Sequence, residues 1–302
     1  MSKLLTTALL FAAASEASAQ LSLLNDDFDD PSTLSDWQRV HTVEGWNADQ
    51  LETWNIDTSR SGWMAMVPYT STWFANYRGV LAFKEVTGNF AMTIEVESLN
   101  RAQTGPPGRQ YSLAGIMLRA PRAITPATWT PGGEDYVFLS LGAANTPGTA
   151  QYEVKTTVDS VSVLNIQSAP STLAEIRSAR IGNAFIMLRR EAPGPWVVHR
   201  RYSRSDMPAT LQAGITCYTD WENVNGMDPF THNSTVNTGG QPDLAAFVDY
   251  AHFTEVSVPA PLAALNLADP GQVTDSQLLA FLGETLDTPQ ASVGGWELFG
   301  GE

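Results

Sequence analysis

Glu95 and Glu97 come nearest, by residue type and spacing, to an acid–base pair in this sequence. They lie two apart in the strand-like run FAMTIEVES, so they share one face at a separation of ~7 Å. On geometry alone that spacing suits the two carboxyl groups of an inverting glycosidase. The competing reading leaves both glutamates solvated on a polar strand face, with no reaction to perform. Histidine offers less, because His41, His199, His232 and His252 are scattered without an HxH or HxxxH pair to hold a transition metal. The single cysteine, Cys217, falls on the apolar side of an alternating strand. It is expected to be a buried small hydrophobe rather than a nucleophile.

Binding chemistry has more material to work with. Nine tryptophans and eight tyrosines are many for one domain. Flat aromatic faces stack on the apolar C–H faces of sugar rings, and planar polar groups beside them take the hydroxyls. Trp63, Trp73, Tyr77, Trp129, Trp196, Tyr218 and Trp221 are the aromatic candidates, with Arg119 and Asp220 as polar partners. Trp37, Trp46 and Trp54 are better suited to packing, since each sits near a strand start. Trp221 stands apart, because it follows an alternating strand and opens a long polar loop within Tyr218-Thr219-Asp220-Trp221-Glu222-Asn223. An indole is nevertheless more often core than platform.

The elements that position these residues are strands. From Leu173 to Trp221 the sequence alternates strand formers with the turn signals Gly182-Asn183 and Pro193-Gly194-Pro195. In LQAGITCY, Leu211, Ala213, Ile215 and Cys217 face one way, and Gln212, Gly214, Thr216 and Tyr218 the other. In AGIMLRAP, Arg119 likewise opposes Ala114, Ile116 and Leu118. The two polar faces are expected to form one open sheet face, walled at one end by the loop Glu222–Asp243. About a dozen such runs between positions 20 and 257, the first being SLLNDDF, predict an all-β, two-sheet antiparallel jelly roll. Loops at Asn100–Arg109, Pro121–Glu134 and Glu222–Asp243 are long enough to be functional rims. Asn233-Ser-Thr is a glycosylation sequon.

Several ordered stretches resemble the concanavalin A-like lectin/glucanase superfamily, and most of all its bacterial laminin G-like accessory domains. They are DDFDDPSTLSDWQ, VTGNF with Asn89 where the family has Asp, AGIMLRAP, IRSARIGNAFIMLRREAPGPW followed by MPATLQAGI, and FVDYAHFTEV. The resemblance spans about Asp26 to Val256 and implies a two-sheet jelly roll with a glycan as partner. It speaks poorly to function, because one fold hosts many sites. The family's glucanases carry a Glu-x-Asp-x-Glu strand, whereas this chain has IEVES. The arginine-, glutamine/histidine- and tyrosine-containing motifs of its alginate lyases are also missing.

Calcium is the cation the sequence favours. Asn25, Asp26, Asp27, Asp29 and Asp30 crowd the first strand-like run, and Asp249 lies on the last. First and last strands commonly neighbour each other in jelly rolls, which would bring Asp29 and Asp249 together as hard oxygen ligands. The alternative is that these aspartates cap turns and solvate an edge strand.

Residues 1–19 have the form of a secretory signal: Lys3, an apolar run, and Ala17-Ser18-Ala19 before Gln20. Its removal takes away one lysine and one glutamate, so the net charge of −15 is unchanged. That charge, without a basic stripe, excludes a nucleic-acid backbone as partner. The later sequence lacks ~20 uninterrupted apolar residues, so membrane insertion is not expected. The densest basic cluster, Arg189, Arg190, Arg200, Arg201 and Arg204, is expected to pair with the protein's own carboxylates. In the tail 258–302, Thr274 and Gln277 have capping-box spacing ahead of an apolar helical face. This helix docks on the sandwich or serves a protein partner. The expectation is an exported, non-catalytic glycan-binding or cell-surface interaction domain. Its rivals are a glycosidase or polysaccharide lyase with an atypical site, and a structural extracellular assembly protein.

Overall fold

The computed structural model describes residues 21–191 and 193–287, so the signal segment 1–19 and the end of the tail lie outside the described residues. Period-two alternation builds fourteen strands in the described residues. They are β1 (Gln38–Arg39), β2 (Leu51–Ile56), β3 (Met64–Pro68), β4 (Val80–Thr87), β5 (Phe90–Leu99), β6 (Ser112–Arg119) and β7 (Tyr136–Ala143). Then come β8 (Gln151–Val158), β9 (Val161–Ser168), β10 (Leu173–Ile181), β11 (Ala184–Arg190), β12 (Val197–Ser203), β13 (Thr210–Tyr218) and β14 (Ala245–Glu255). Short helices occupy connections: α1 (Val40–Val43), α2 (Trp221–Val224), α3 (Pro229–Ser234) and, in the tail, α4 (Asp275–Leu282).

The strands form two antiparallel sheets of seven. The first runs β1-β4-β13-β6-β7-β8-β9 and the second β12-β11-β10-β5-β14-β3-β2. Ile94 and Val96 of β5 meet Ile116 and Leu118 of β6, Leu139 of β7 and Ile215 of β13 in the core between them. The chain is therefore a two-sheet β-sandwich, all-β apart from its short helices. Cys217 is buried in that core, where desolvation pushes its thiol up.

The run SLLNDDF does not form the expected strand. Only a bridge from Asp26 to Ala251 survives. Asp26 spends its carboxylate locally, accepting from the Phe28 N–H at 3.0 Å and the Trp37 indole N–H at 2.9 Å. Phe28 adopts a φ of 56°, which turns the chain out of extended geometry. Strand β1 is two residues long, too short to carry a periodic signal of its own.

Helix α4 starts with the expected capping box. The Thr274 hydroxyl accepts from the Gln277 N–H, and the Gln277 side chain accepts from the Thr274 N–H. Leu278, Phe281 and Leu282 pack on Ile186, Leu188 and Trp196, on the outer face of the second sheet. Beneath them the buried Arg177 guanidinium donates to the Leu282 and Gly283 carbonyls at 2.6 and 2.8 Å. The basic cluster is largely neutralised within the chain. Arg189 pairs with Glu191, Arg190 with Glu175 and Asp287, Arg201 with Asp275, and Arg204 with Asp206 and Asp135. Among the described residues, no helix is long and apolar enough to cross a membrane.

Candidate functional site

Strand register brings the two polar faces together. Gln212 of β13 pairs with Arg119 of β6, and Arg119 Nη1 donates to Gln212 Oε1 at 2.6 Å. This face is not open, however. Arg119, Tyr218, Asp220 and Trp73 are all fully buried, because loops fold over the sheet and satisfy its charges. Arg119 meets Glu134 at 2.9 Å and Glu44 at 2.9 Å. Arg78 binds both of these glutamates, and Arg122 binds Glu134. Burial raises the Glu134 carboxyl, but the charges of Arg119, Arg78 and Arg122 outweigh it and hold the group at about 2. It stays ionised and paired, which suits structure better than proton transfer.

Trp73 closes the face from above. Its indole N–H donates to the Val80 carbonyl at 2.9 Å, and its ring meets Tyr136 edge-on at 5.5 Å. That makes Trp73 a plug rather than a platform. Asp220 has a similarly internal task. At a φ of 71° it accepts from the Thr70 hydroxyl, the Gln241 N–H and the Asn223 amide. These bonds tie two loops together and fix where the next residue, Trp221, projects.

Trp221 remains half-buried and lines a pocket of about 210 Å³ with Thr72, Phe74, Tyr111, Lys155 and Leu164. Its ring meets Phe74, Tyr77 and Tyr111 edge-on at 5.6 to 6.3 Å. The floor is Lys155 of β8, which shares a sheet face with Glu153. Lys155 Nζ lies 2.9 Å from Glu153 Oε1 and donates to the Trp73 carbonyl at 2.7 Å. Phe138, Phe74 and Tyr218 surround the ammonium at 4.7 to 5.5 Å. Burial lowers the Lys155 pKa, an effect that Glu153 opposes. No carboxylate lines the pocket.

A sequence signal for this floor exists in QYEVKTTV, where Glu153 and Lys155 fall on one strand face. A lysine and glutamate at that spacing ordinarily mark a solvated surface, so only the covering loop reveals them as a site. Other aromatic candidates are placed elsewhere. Trp196 is buried beside Asp287 near α4, Trp63 lies under Arg60, and Trp129 packs with Trp46 and Phe230. Asn233 of the sequon is buried, accepting from the Arg78 N–H and donating to the Asn76 carbonyl at 2.9 Å each. Its amide is engaged in the folded chain.

Glu95 and Glu97 lie on the outer face of the second sheet, away from the pocket. Glu97 is ion-paired to Arg60 at 2.6 Å. Glu95 is raised by partial burial and by Asp249, Glu175 and Glu97. Asp29 and Asp249 come within electrostatic reach of each other, since Asp249 is raised by burial and then by Asp29 and Asp27. Among the described residues, no three histidine, cysteine, aspartate or glutamate side chains gather as a metal-holding group.

No family model and no curated protein matches the sequence. Among solved structures, a functionally unknown protein from Saccharomyces cerevisiae is similar at a TM-score of 0.50 and 12% identity. That match covers 74% of this chain and 97% of the yeast one. The GH43 protein BlXynB from Bacillus licheniformis is similar at a TM-score of 0.50 and 14% identity, over 76% of this chain. This chain spans only 39% of BlXynB's length. At such identities the likeness is one of fold.

Proposed function

We propose that this chain is an exported, non-catalytic glycan-binding domain of the concanavalin A-like kind its motifs resemble. The observation that carries the reading is the half-buried Trp221 beside Tyr111 and Phe74, above the Lys155 floor. Trp221 and Tyr111 supply apolar faces for a sugar ring. Lys155 closes the floor beneath them, its ammonium held by the Glu153 carboxylate and the Trp73 carbonyl. A volume of about 210 Å³ falls below the ~300–1,000 Å³ of pockets that enclose drug-sized ligands. It suits one ring or a chain end. The Glu153–Lys155 pair is neutral as a unit and the chain carries −15, so neutral sugars are favoured over uronic acids.

A hydrolase of the same fold needs two acids flanking the scissile bond. The pocket walls offer none, which supports the non-catalytic reading. A glycan array probed with the mature protein, with and without calcium, tests it. Binding to neutral glycans that is lost in Trp221→Ala supports the proposal, whereas release of reducing ends from a bound polysaccharide overturns it. Export is tested by the N-terminus of the secreted form, expected at Gln20; retention of Met1 on exported protein refutes it.

A further inference from the structure

Each sheet edge is a row of unpaired N–H and C=O groups, and proteins ordinarily blunt such edges. Three of the four edges here are blunted. β1 is only two residues long, β2 has an irregular register between Leu51 and Thr53, and β12 carries Arg200 and Arg201 with a register shift opposite Met187/Leu188. The fourth edge, β9, has none of these devices. Its ladder with β8 is unbroken over eight residues, from Val158↔Val161 to Gln151↔Ser168. Its sequence, VSVLNIQS, contains no charge, proline or glycine in a chain of net charge −15. Val161 and Val163 are 68% and 62% exposed. Among the described residues, positions 161–168 make no backbone–backbone hydrogen bond beyond the β8 ladder.

We propose that β9 is the contact through which two copies of this chain associate, pairing antiparallel about a two-fold axis. A second copy fits better than an unrelated strand for two reasons. Antiparallel self-pairing satisfies the same backbone groups on both partners at once. It also lets two strongly acidic molecules meet along an uncharged strand, where like charges are not pressed together. Directly opposed residues of an antiparallel pair share a face, so both copies' Val161 and Val163 fall on one side. Leu164, which lines the aromatic pocket, falls on the other. The dimer therefore sets two pockets side by side on one continuous sheet. Bivalency rests on the glycan reading above: two such pockets gain avidity on a polysaccharide.

Sedimentation equilibrium of the mature protein, without ligand, tests the association independently of any sugar. The expected result is twice the chain mass at micromolar concentration, reduced to a monomer by Val163→Lys with an unchanged circular-dichroism spectrum. Val161→Lys provides a second exposed position should the first variant fold poorly. A monomeric wild type, or a dimer that both lysine variants leave intact, overturns the proposal. Loss of retention on immobilised polysaccharide with unchanged affinity for a soluble monosaccharide supports the bivalent arrangement. Unchanged retention of the monomeric variant overturns bivalency alone.

Discussion

Lys155 and Glu153, two residues apart on β8, form an ion pair at 2.9 Å with both side chains closed off from solvent. Removing one member of a buried pair leaves an uncompensated charge, at a cost of about 3–5 kcal/mol. Lys155→Met is therefore expected to lower stability by about that amount in chemical denaturation. Lys155→Met combined with Glu153→Gln removes both charges and should recover much of the loss. A double variant no more stable than the single would show that the pair is not coupled.

Trp221 and Trp73 should respond in opposite ways to truncation. Trp221 is half-buried at the pocket, so Trp221→Ala is expected to weaken glycan binding at least ~30-fold, the loss of one hot-spot contact. Its stability cost should stay well short of the ~3–5 kcal/mol that a fully buried aromatic loses. Trp73 has no exposed surface and should incur that whole cost. Denaturation curves of the two variants, with a polysaccharide pull-down of the first, make the comparison. A large destabilisation in Trp221→Ala would move that residue from the site to the core.

Gly240 lies against the aspartate that aims Trp221. A Cβ there would stand 1.9 Å from the Thr70 hydroxyl oxygen and 2.5 Å from Asp220 Oδ2. Gly240→Ala must displace one or both, breaking the bond between Thr70 and Asp220. A loss of ~1–3 kcal/mol, typical of overpacking, is expected together with weakened binding. Unchanged affinity, measured by titration calorimetry, would show that Asp220 does not position the indole.

The strand pattern is legible in the sequence, and so is the pairing of faces: alternation in AGIMLRAP and LQAGITCY is enough to put Arg119 and Gln212 on one polar face, where they do meet. Closure of that face is not legible. Whether Arg119 is solvated or buried depends on Glu44 and Glu134, which reach it through loops, and strand periodicity carries no information about loop paths. The same limit separates Asp220 from Trp221. Their contrasting burial follows from a positive φ and from a contact with Thr70, both set by tertiary structure.

Asp249 offers a direct test of calcium at the outer face. Its carboxyl is raised by burial and by Asp29 and Asp27. A raised acid binds protons more readily when folded, so its contribution to stability falls as pH climbs from its unfolded to its folded pKa. In calcium-free buffer at neutral pH, Asp249→Asn should thus be slightly more stable than wild type. If the aspartates share an ion, calcium raises the wild-type melting temperature and EDTA reverses it, with no such response in Asp249→Asn. No shift at millimolar calcium refutes the site.

Acid sensitivity should begin with a histidine and not with the carboxylates. His232 is buried, and desolvation depresses it to about 4. Its Nε2 accepts from the Thr72 N–H at 3.3 Å, and Nδ1 faces Asn233 Oδ1 at 2.9 Å. Those contacts fit the neutral ring with its proton on Nδ1; protonating Nε2 would set two donors against each other. Because the folded pKa is depressed, the stabilisation is complete above the ordinary value of 6.5 and is lost as pH falls towards about 4. The shift corresponds to roughly 3 kcal/mol across that window. His199, held at about 4 by burial and by Arg189 and Arg200, contributes in the same direction. Glu134 acts later, losing its stabilisation only as pH falls from 4.5 towards 2. Unfolding free energy measured from pH 7 to 5 should therefore decline ahead of the carboxylate titrations, and His232→Gln should reduce that slope. A flat profile over this range, or a slope unchanged in His232→Gln, would mean that the buried imidazole is not what acid attacks first.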